Sequence, residues 1–398
     1  MSENTPDDIL LAATVGAEHI TAIMAHYLLT HDDVVAGLHR AHCASDHAPD
    51  ARMAAAACYA GAMRAIAIGL VLASAACSGT SPTDAGGYDP LPPRDADLAL
   101  PLVAPVDTWT WIEVPGMVCG DGSPTGVGVK LAARPDEVVV LLNGGGACWD
   151  AQTCFELRTA ASIDTPFGAA EFAALQANLD AYPLFSRGAS NPYQNASFVF
   201  VPYCTGDLHA GHATTQYTTA GGPRTVHHAG QTNLDALWPR LRATRPAATR
   251  VLLAGLSAGG YGAMLEHDRL RAAWTLPTVD VLSDSSHPID PLPARWDAMR
   301  AAWALDVPLA SQCPACATGF GGWPAYLRLY RDPRARWALL MTTRDQTIAS
   351  YFGVTQAELA TRTLAIRDGM IAGTGQGAFV IDATSHVLTA ATPAPTTS

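Results

Sequence analysis

The sequence predicts an α/β fold, a mostly parallel sheet flanked by helices. Short continuous apolar runs recur along the chain, as strands buried on both faces do. Helix-length segments separate them, which is the mark of βαβ units. Two glycine-rich turns, Asn143-Gly-Gly-Gly-Ala-Cys148 and Gly255-Leu-Ser-Ala-Gly-Gly260, each follow directly on one of the runs.

Taken in order, residues 109–114 and 126–132 read as the strands of an opening hairpin or meander. Glu137-Val-Val-Val-Leu-Leu142 and Ser197-Phe-Val-Phe-Val-Pro-Tyr203 are buried-strand runs, followed by strands at 250–254, 279–282 and 337–341. Helices are expected over 169–181, 232–243, 262–271, 294–303 and 356–372. No internal repeat is visible.

Gly255 to Gly259 fits G-x-S-x-G, a pattern that puts a serine on a tight strand-to-helix turn where only small neighbours fit. A serine hydroxyl needs a base, nearly always a histidine oriented by a carboxylate. On a sheet of this kind the chain order is serine, acid, histidine. Asp345 follows the 337–341 strand and is the expected acid; Asp284, which follows the 279–282 strand, is the rival. His386 is the one histidine beyond Asp345 and is the expected base for Ser257. Such a site also needs N–H groups aimed at a developing oxyanion. Ala258 is the expected first donor, with Gly146 and Ala147 as candidates for the others. His209-x-x-His212 has the spacing of a metal pair, but no third ligand accompanies it. The chemistry calls for no metal and no organic cofactor.

At 398 residues and 49% hydrophobic composition the chain can bury a sizeable core. Its net charge is −12, with one lysine (Lys130) against 23 arginines, which argues against nucleic acid as a partner. No run of 18 apolar residues is present, so membrane association would come only through a lipid anchor. Residues 63–77 have the parts of a signal peptide: Met63-Arg64, a short apolar core and the small-residue exit Ala73-Ser-Ala-Ala-Cys77. Cys77 is a candidate for lipidation, and ordinary cleavage is the alternative. Residues 1–62 then form an upstream extension, disordered or the product of a misplaced start. Residues 78–98 are a flexible linker, 99–391 the folded domain, and 392–398 a disordered tail. An exported chain suits disulfides. Cys148 and Cys154 bracket a short loop beside the first glycine turn, and a bridge there would stiffen it. Cys313-Pro-Ala-Cys316 reads as a structural bridge, with a redox pair or half a zinc site as alternatives.

Together these pieces resemble the pectin acetylesterase family, whose fold is α/β-hydrolase-like. The resemblance covers about residues 107–390. It rests on Gly144-Gly-Gly-Ala-Cys148 with Cys154 six residues on, Val201-Pro-Tyr-Cys-Thr-Gly206, Gly255-Leu-Ser-Ala-Gly-Gly260 and Ser283-Asp-Ser-Ser. It implies Ser257, Asp345 and His386 as nucleophile, acid and base, and Gly146, Ala147 and Ala258 as the oxyanion hole. It also implies a Cys148–Cys154 bridge and a second one, Cys119–Cys204. The family usually has a bulky aromatic after the triple glycine where this chain has Ala147, which puts the wall of the acyl pocket in question. Trp149 and His212 are candidates for that wall. The expected function is an exported serine esterase acting on an acetylated polysaccharide. The alternatives are a lipase or polyester depolymerase with the same triad, and a non-catalytic surface lipoprotein that binds glycans through Trp109 and Trp111.

Overall fold

Alternation along the central strands sets the architecture. In β3 (Glu137–Leu142) the side chains of Val138, Val140 and Leu142 enter one apolar cluster, and Val139 and Leu141 enter another. The same split recurs in β7 (Arg250–Leu256), with Val251 and Leu253 against Leu252 and Ala254. Successive residues of a strand point to opposite faces, so strands apolar at every position need cover on both sides. The computed structural model describes residues 100–134, 136–274, 279–306, 336–371 and 377–389. The expected signal peptide, linker and tail, and Cys77, Cys313 and Cys316, lie outside the described residues.

The remaining strands are β1 (Thr110–Val118), β2 (Pro124–Lys130), β4 (Ser197–Val201), β5 (Ala213–Thr219), β6 (Gly222–His228), β8 (Val279–Asp284), β9 (Trp337–Thr342) and β10 (Gly377–Ile381). Eight of the ten strands among the described residues form one sheet in the order β1-β2-β4-β3-β7-β8-β9-β10. β1 and β2 are an antiparallel hairpin at one edge, and β4 through β10 run parallel. β5 and β6 make a separate antiparallel pair. The first face is covered by α2 (Gly230–Thr244), α3 (Ala258–Trp274), α4 (Pro293–Trp303), α5 (Gln346–Phe352) and α6 (Gln356–Ile371). The second is covered by α1 (Ala169–Ala181), through Phe172 and Leu179, and by Leu184, Phe185, Tyr193 and Leu388.

Trp109 and Trp111 belong to that second layer, and the reading of them as an exposed glycan platform is corrected. Trp109 is 6% exposed, meets the edges of Phe172 and Phe185, and its indole N–H donates to Asp180 at 2.9 Å. Trp111 is half-buried against Phe167 and Phe172. Their size makes them core, because burying a large ring is worth more than displaying it.

Strand order places the site. From β3 the chain turns to β4 on one side; from β7 it turns through α3 to β8 on the other. The connections diverge between β3 and β7, leaving a crevice at the carboxyl ends of those strands, where open α/β sheets bind ligands. Both glycine turns lie at its mouth.

Two disulfides brace this end of the sheet, Cys119–Cys204 and Cys148–Cys154. In the chain-entropy account stabilisation grows with the loop closed. The loops span 85 and 6 residues of separation. Replacing Cys119 and Cys204 by alanine is expected to cost about 4–5 kcal/mol and replacing Cys148 and Cys154 about 2 kcal/mol. Urea denaturation of the two double variants checks the order; a larger loss from the short loop would contradict it.

Candidate active site

Ser257 sits between β7 and α3 with φ 52°, a left-handed conformation that costs a non-glycine residue about 1–3 kcal/mol. Its neighbours hold it there. The Ser257 N–H donates to the Asp284 carbonyl at 2.8 Å, and the Ser286 hydroxyl donates to the Ser257 carbonyl at 2.6 Å. Gly259 lets the first turn of α3 lie against β3, since a Cβ there would overlap the Leu142 carbonyl oxygen.

The other expected residues come from the last two strands of the sheet. Asp345 follows β9 and His386 follows β10, and both lie at the same end as Ser257. His386 Nε2 is 2.8 Å from Ser257 Oγ. His386 Nδ1 is 2.7 Å from Asp345 Oδ2. These partners set the tautomer: Nδ1–H donates to the carboxylate, so Nε2 is free to accept the serine proton. Asp345 is fully buried, and its Oδ1 caps α5 by accepting the Ile348 N–H at 3.0 Å. The helix start thus orients the carboxylate for the histidine. The rival, Asp284, is buried too but turns to the backbone beyond His386. It accepts from the N–H groups of Leu388 at 2.9 Å and Thr389 at 2.7 Å, and from the hydroxyls of Thr389 and Ser285. Burial raises its pKa, and these four donors act against that rise.

Among the described residues nothing accepts the N–H of Gly146 or Ala258. Ala258 opens α3, where the first N–H groups have no intrahelical partner. Gly146 has φ 77°, and a Cβ there would overlap the Thr159 carbonyl oxygen and Tyr351 Oη. Ala147 departs from expectation. Its N–H donates to the Thr159 carbonyl at 3.2 Å and its carbonyl accepts the Thr159 hydroxyl at 2.7 Å. A short bridge between Gly146 and Ala160 ties this loop to residues 159–161 and occupies the Ala147 amide. Two of the three proposed donors are free.

Two cavities meet at Ser257. An open cleft of about 540 Å³ is lined by the glycine loop, Ser257, His386, Arg158, Thr159, Thr347 and Tyr351. A small apolar cavity of about 20 Å³ lies beside it, walled by Gly146, Ala147, Leu208, Ser257, Ala258, Tyr261, Met299, Ile348, Tyr351 and Phe352. The candidates Trp149 and His212 line neither. Trp149 packs half-buried against the first core, and the His212 N–H donates to the Trp303 carbonyl at 3.1 Å. Tyr351 takes the place expected of Trp149. It lies in both walls, and its hydroxyl donates to the Thr159 carbonyl. The sequence reading missed it because α5 is only seven residues long and starts straight after the acid.

Beneath the glycine loop His209 is buried against Tyr203, with Nε2 2.9 Å from the Asn143 carbonyl oxygen. Burial lowers its pKa to about 4, so at neutral pH it is uncharged and donates to that carbonyl.

The strand order, with a hydrogen-bonded serine, histidine and aspartate at the carboxyl ends of its strands, is that of an α/β-hydrolase-like fold. Residues 107–296 match the family model described as Pectinacetylesterase. Curated relatives include palmitoleoyl-protein carboxylesterase Notum of Drosophila melanogaster, 29% identical over 163 residues, which is 39% of this chain and 23% of the relative. The human Notum is 28% identical over 161 residues, 39% of this chain and 30% of the relative. The chain therefore spans less than a third of the length of these relatives. The crystal structure of the Wnt deacylase Notum from Drosophila shares the fold, with a TM-score of 0.51 at 20% identity over 71% of this chain and 86% of that one.

Because His209 is neutral in the fold and takes up a proton near 6.5 when unfolded, the unfolded state binds more protons between those values. Stability from this group is full above pH 6.5 and declines as pH falls toward 4, by roughly 3 kcal/mol. Asp207 alongside, raised by burial to about 6, works in the opposite sense. Melting curves of His209→Gln and the parent between pH 7 and 4 separate the two: the variant is expected to lose less stability on acidification. An equal loss would contradict the assignment.

Proposed function

We propose that this domain is an exported serine carboxylesterase that removes acetyl groups from a polysaccharide. The observation that carries the reading is the hydrogen-bonded line Asp345–His386–Ser257 ending between a wide open cleft and an apolar cavity of about 20 Å³. Ser257 Oγ attacks the acyl carbonyl while His386 Nε2 takes its proton, and Asp345 holds the imidazolium. The N–H groups of Gly146 and Ala258 receive the negative charge on the carbonyl oxygen. As the tetrahedral intermediate collapses, His386 returns the proton to the leaving hydroxyl. Water, deprotonated by the same histidine, then frees the carboxylic acid and Ser257.

The two cavities divide the substrate. The small one holds about one water-sized group, which suits a methyl and excludes a long chain. The open cleft is within the range of ordinary ligand sites and takes the alcohol part, for which a sugar unit is a good match. The alcohol side being open supports a polymer substrate. The disulfides at the site suit a compartment outside the reducing cytosol, and Cys77 would supply an anchor to the envelope.

Ser257→Ala should lower kcat on the order of 10⁶-fold, and Asp345→Asn on the order of 10⁴-fold, without changing the circular dichroism spectrum. Assays with p-nitrophenyl acetate check both; residual turnover near the parent rate in either variant would contradict the roles given. With p-nitrophenyl esters from acetate to palmitate, kcat/KM should fall beyond two to four carbons, because overpacking a closed pocket costs more than burial returns. Tyr351→Ala removes the wall shared by the two cavities and should lengthen the tolerated chain. Each added methylene that finds room is worth about 0.8 kcal/mol, or roughly fourfold. A steady rise through octanoate in the parent would favour a lipase-like or depolymerase reading.

A further inference from the structure

We infer that Asp284-Ser285-Ser286-His287, the segment leaving β8, is a positioning unit that sets the distance between Ser257 and His386; this rests on the reading of those two residues as nucleophile and base. One residue holds both. The backbone carbonyl of Asp284 accepts the Ser257 N–H at 2.8 Å, and its carboxylate accepts the N–H groups of Leu388 and Thr389, just past His386. Ser285 and Ser286 repeat the division. Ser285 Oγ accepts the Val387 N–H at 2.8 Å, and Ser286 Oγ donates to the Ser257 carbonyl at 2.6 Å. His287 extends it to the acid, since its Nε2–H donates at 2.9 Å to the carbonyl of Thr342, at the end of β9 and three residues before Asp345. All four residues are at most 1% exposed.

Backbone conformation shows what this unit opposes. Ser257, Ser285 and Val387 have φ of 52°, 57° and 61°. A left-handed conformation is most costly for a β-branched residue such as Val387, and it persists only where the surroundings over-determine it. Val387 directly follows the base. Its N–H is held by Ser285, and the next two amides are held by Asp284, so the turn that presents the imidazole is fixed by this segment. Leu388, 5% exposed in the second core, and the bond between the Tyr182 and Thr389 hydroxyls anchor the far side. A buried carboxylate is expensive without partners, and here its four donors all come from its own neighbour Ser285 and from the base's loop. Neither Asp284 nor Ser285 touches the reacting atoms; they act through His386.

A positioning role leaves a kinetic signature that a purely structural one does not. His386 serves both acylation and deacylation, so misplacing it slows both in proportion, lowering kcat and leaving KM near its original value. The test uses the full chain with p-nitrophenyl acetate, measuring kcat, KM and the melting temperature of Ser285→Ala and Asp284→Asn, with His386→Ala as control. Ser285→Ala removes a single oxygen and should lower kcat about ten- to hundredfold, as a displacement near 1 Å does. Asp284→Asn, whose amide N–H₂ would face N–H donors, should fall further. If Asp284→Asn does not fold, Ser285→Ala alone decides. An unchanged kcat in the folded variants, or a loss of melting temperature with kcat retained, overturns the inference. Wild-type turnover that survives His386→Ala overturns the reading of the site itself, and this inference with it; that outcome is distinct from the first two.

Discussion

The reverse turn at Ser257 is the constraint on which the site depends. A strand of the parallel sheet has to become a helix within one residue, and that residue has to carry an oxygen into the crevice. The left-handed φ of Ser257 makes the turn, and the close approach of α3 to β3 allows nothing larger than hydrogen at Gly259. The same geometry leaves the Ala258 N–H without an intrahelical acceptor, beside the Ser257 hydroxyl. The strain is a local cost of the order that functional sites commonly store, and bonds from the Asp284–Ser286 segment offset it.

Sheet order carries the rest of the constellation to that turn. β9 and β10 lie two and three places from β7, and their carboxyl ends deliver Asp345 and His386 to the same edge. Asp345 serves two purposes at once. One oxygen starts α5 and the other holds His386, so the helix that presents Tyr351 to the small cavity is placed by the residue that orients the imidazole. A change at Asp345 would therefore be felt both at His386 and in the wall of that cavity.

The sheet, and the meeting of Ser257, Asp345 and His386 at one end of it, were legible because their signals are strong and local. Continuous runs such as Glu137–Leu142 have to be buried, and G-x-S-x-G confines a serine to one kind of turn. The helix over Ala169–Ala181 was expected with the bounds it has, while β4 ends at Val201 rather than at Tyr203. The hairpin of β5 and β6 was not foreseen. Its strands, Ala-Thr-Thr-Gln-Tyr-Thr-Thr and Gly-Pro-Arg-Thr-Val-His-His, lack an apolar face and depend on packing against neighbours. β10 was missed because it is an edge strand of only five residues. Within the site, the tie between the Ala147 amide and Thr159 comes from residues 12 apart that share no pattern, and Tyr351 is 94 residues beyond Ser257. Long-range contacts of this sort leave no periodic trace.

The central claim is that Ser257 is made nucleophilic by His386. Reaction of the full chain with a fluorophosphonate, followed by peptide mapping, tests it directly, because the reagent bonds only to a serine whose proton is being removed. The account predicts one adduct, on Ser257, and a large drop in its rate of formation in His386→Ala. An adduct on a different residue, or labelling of Ser257 at an unchanged rate without His386, would contradict it.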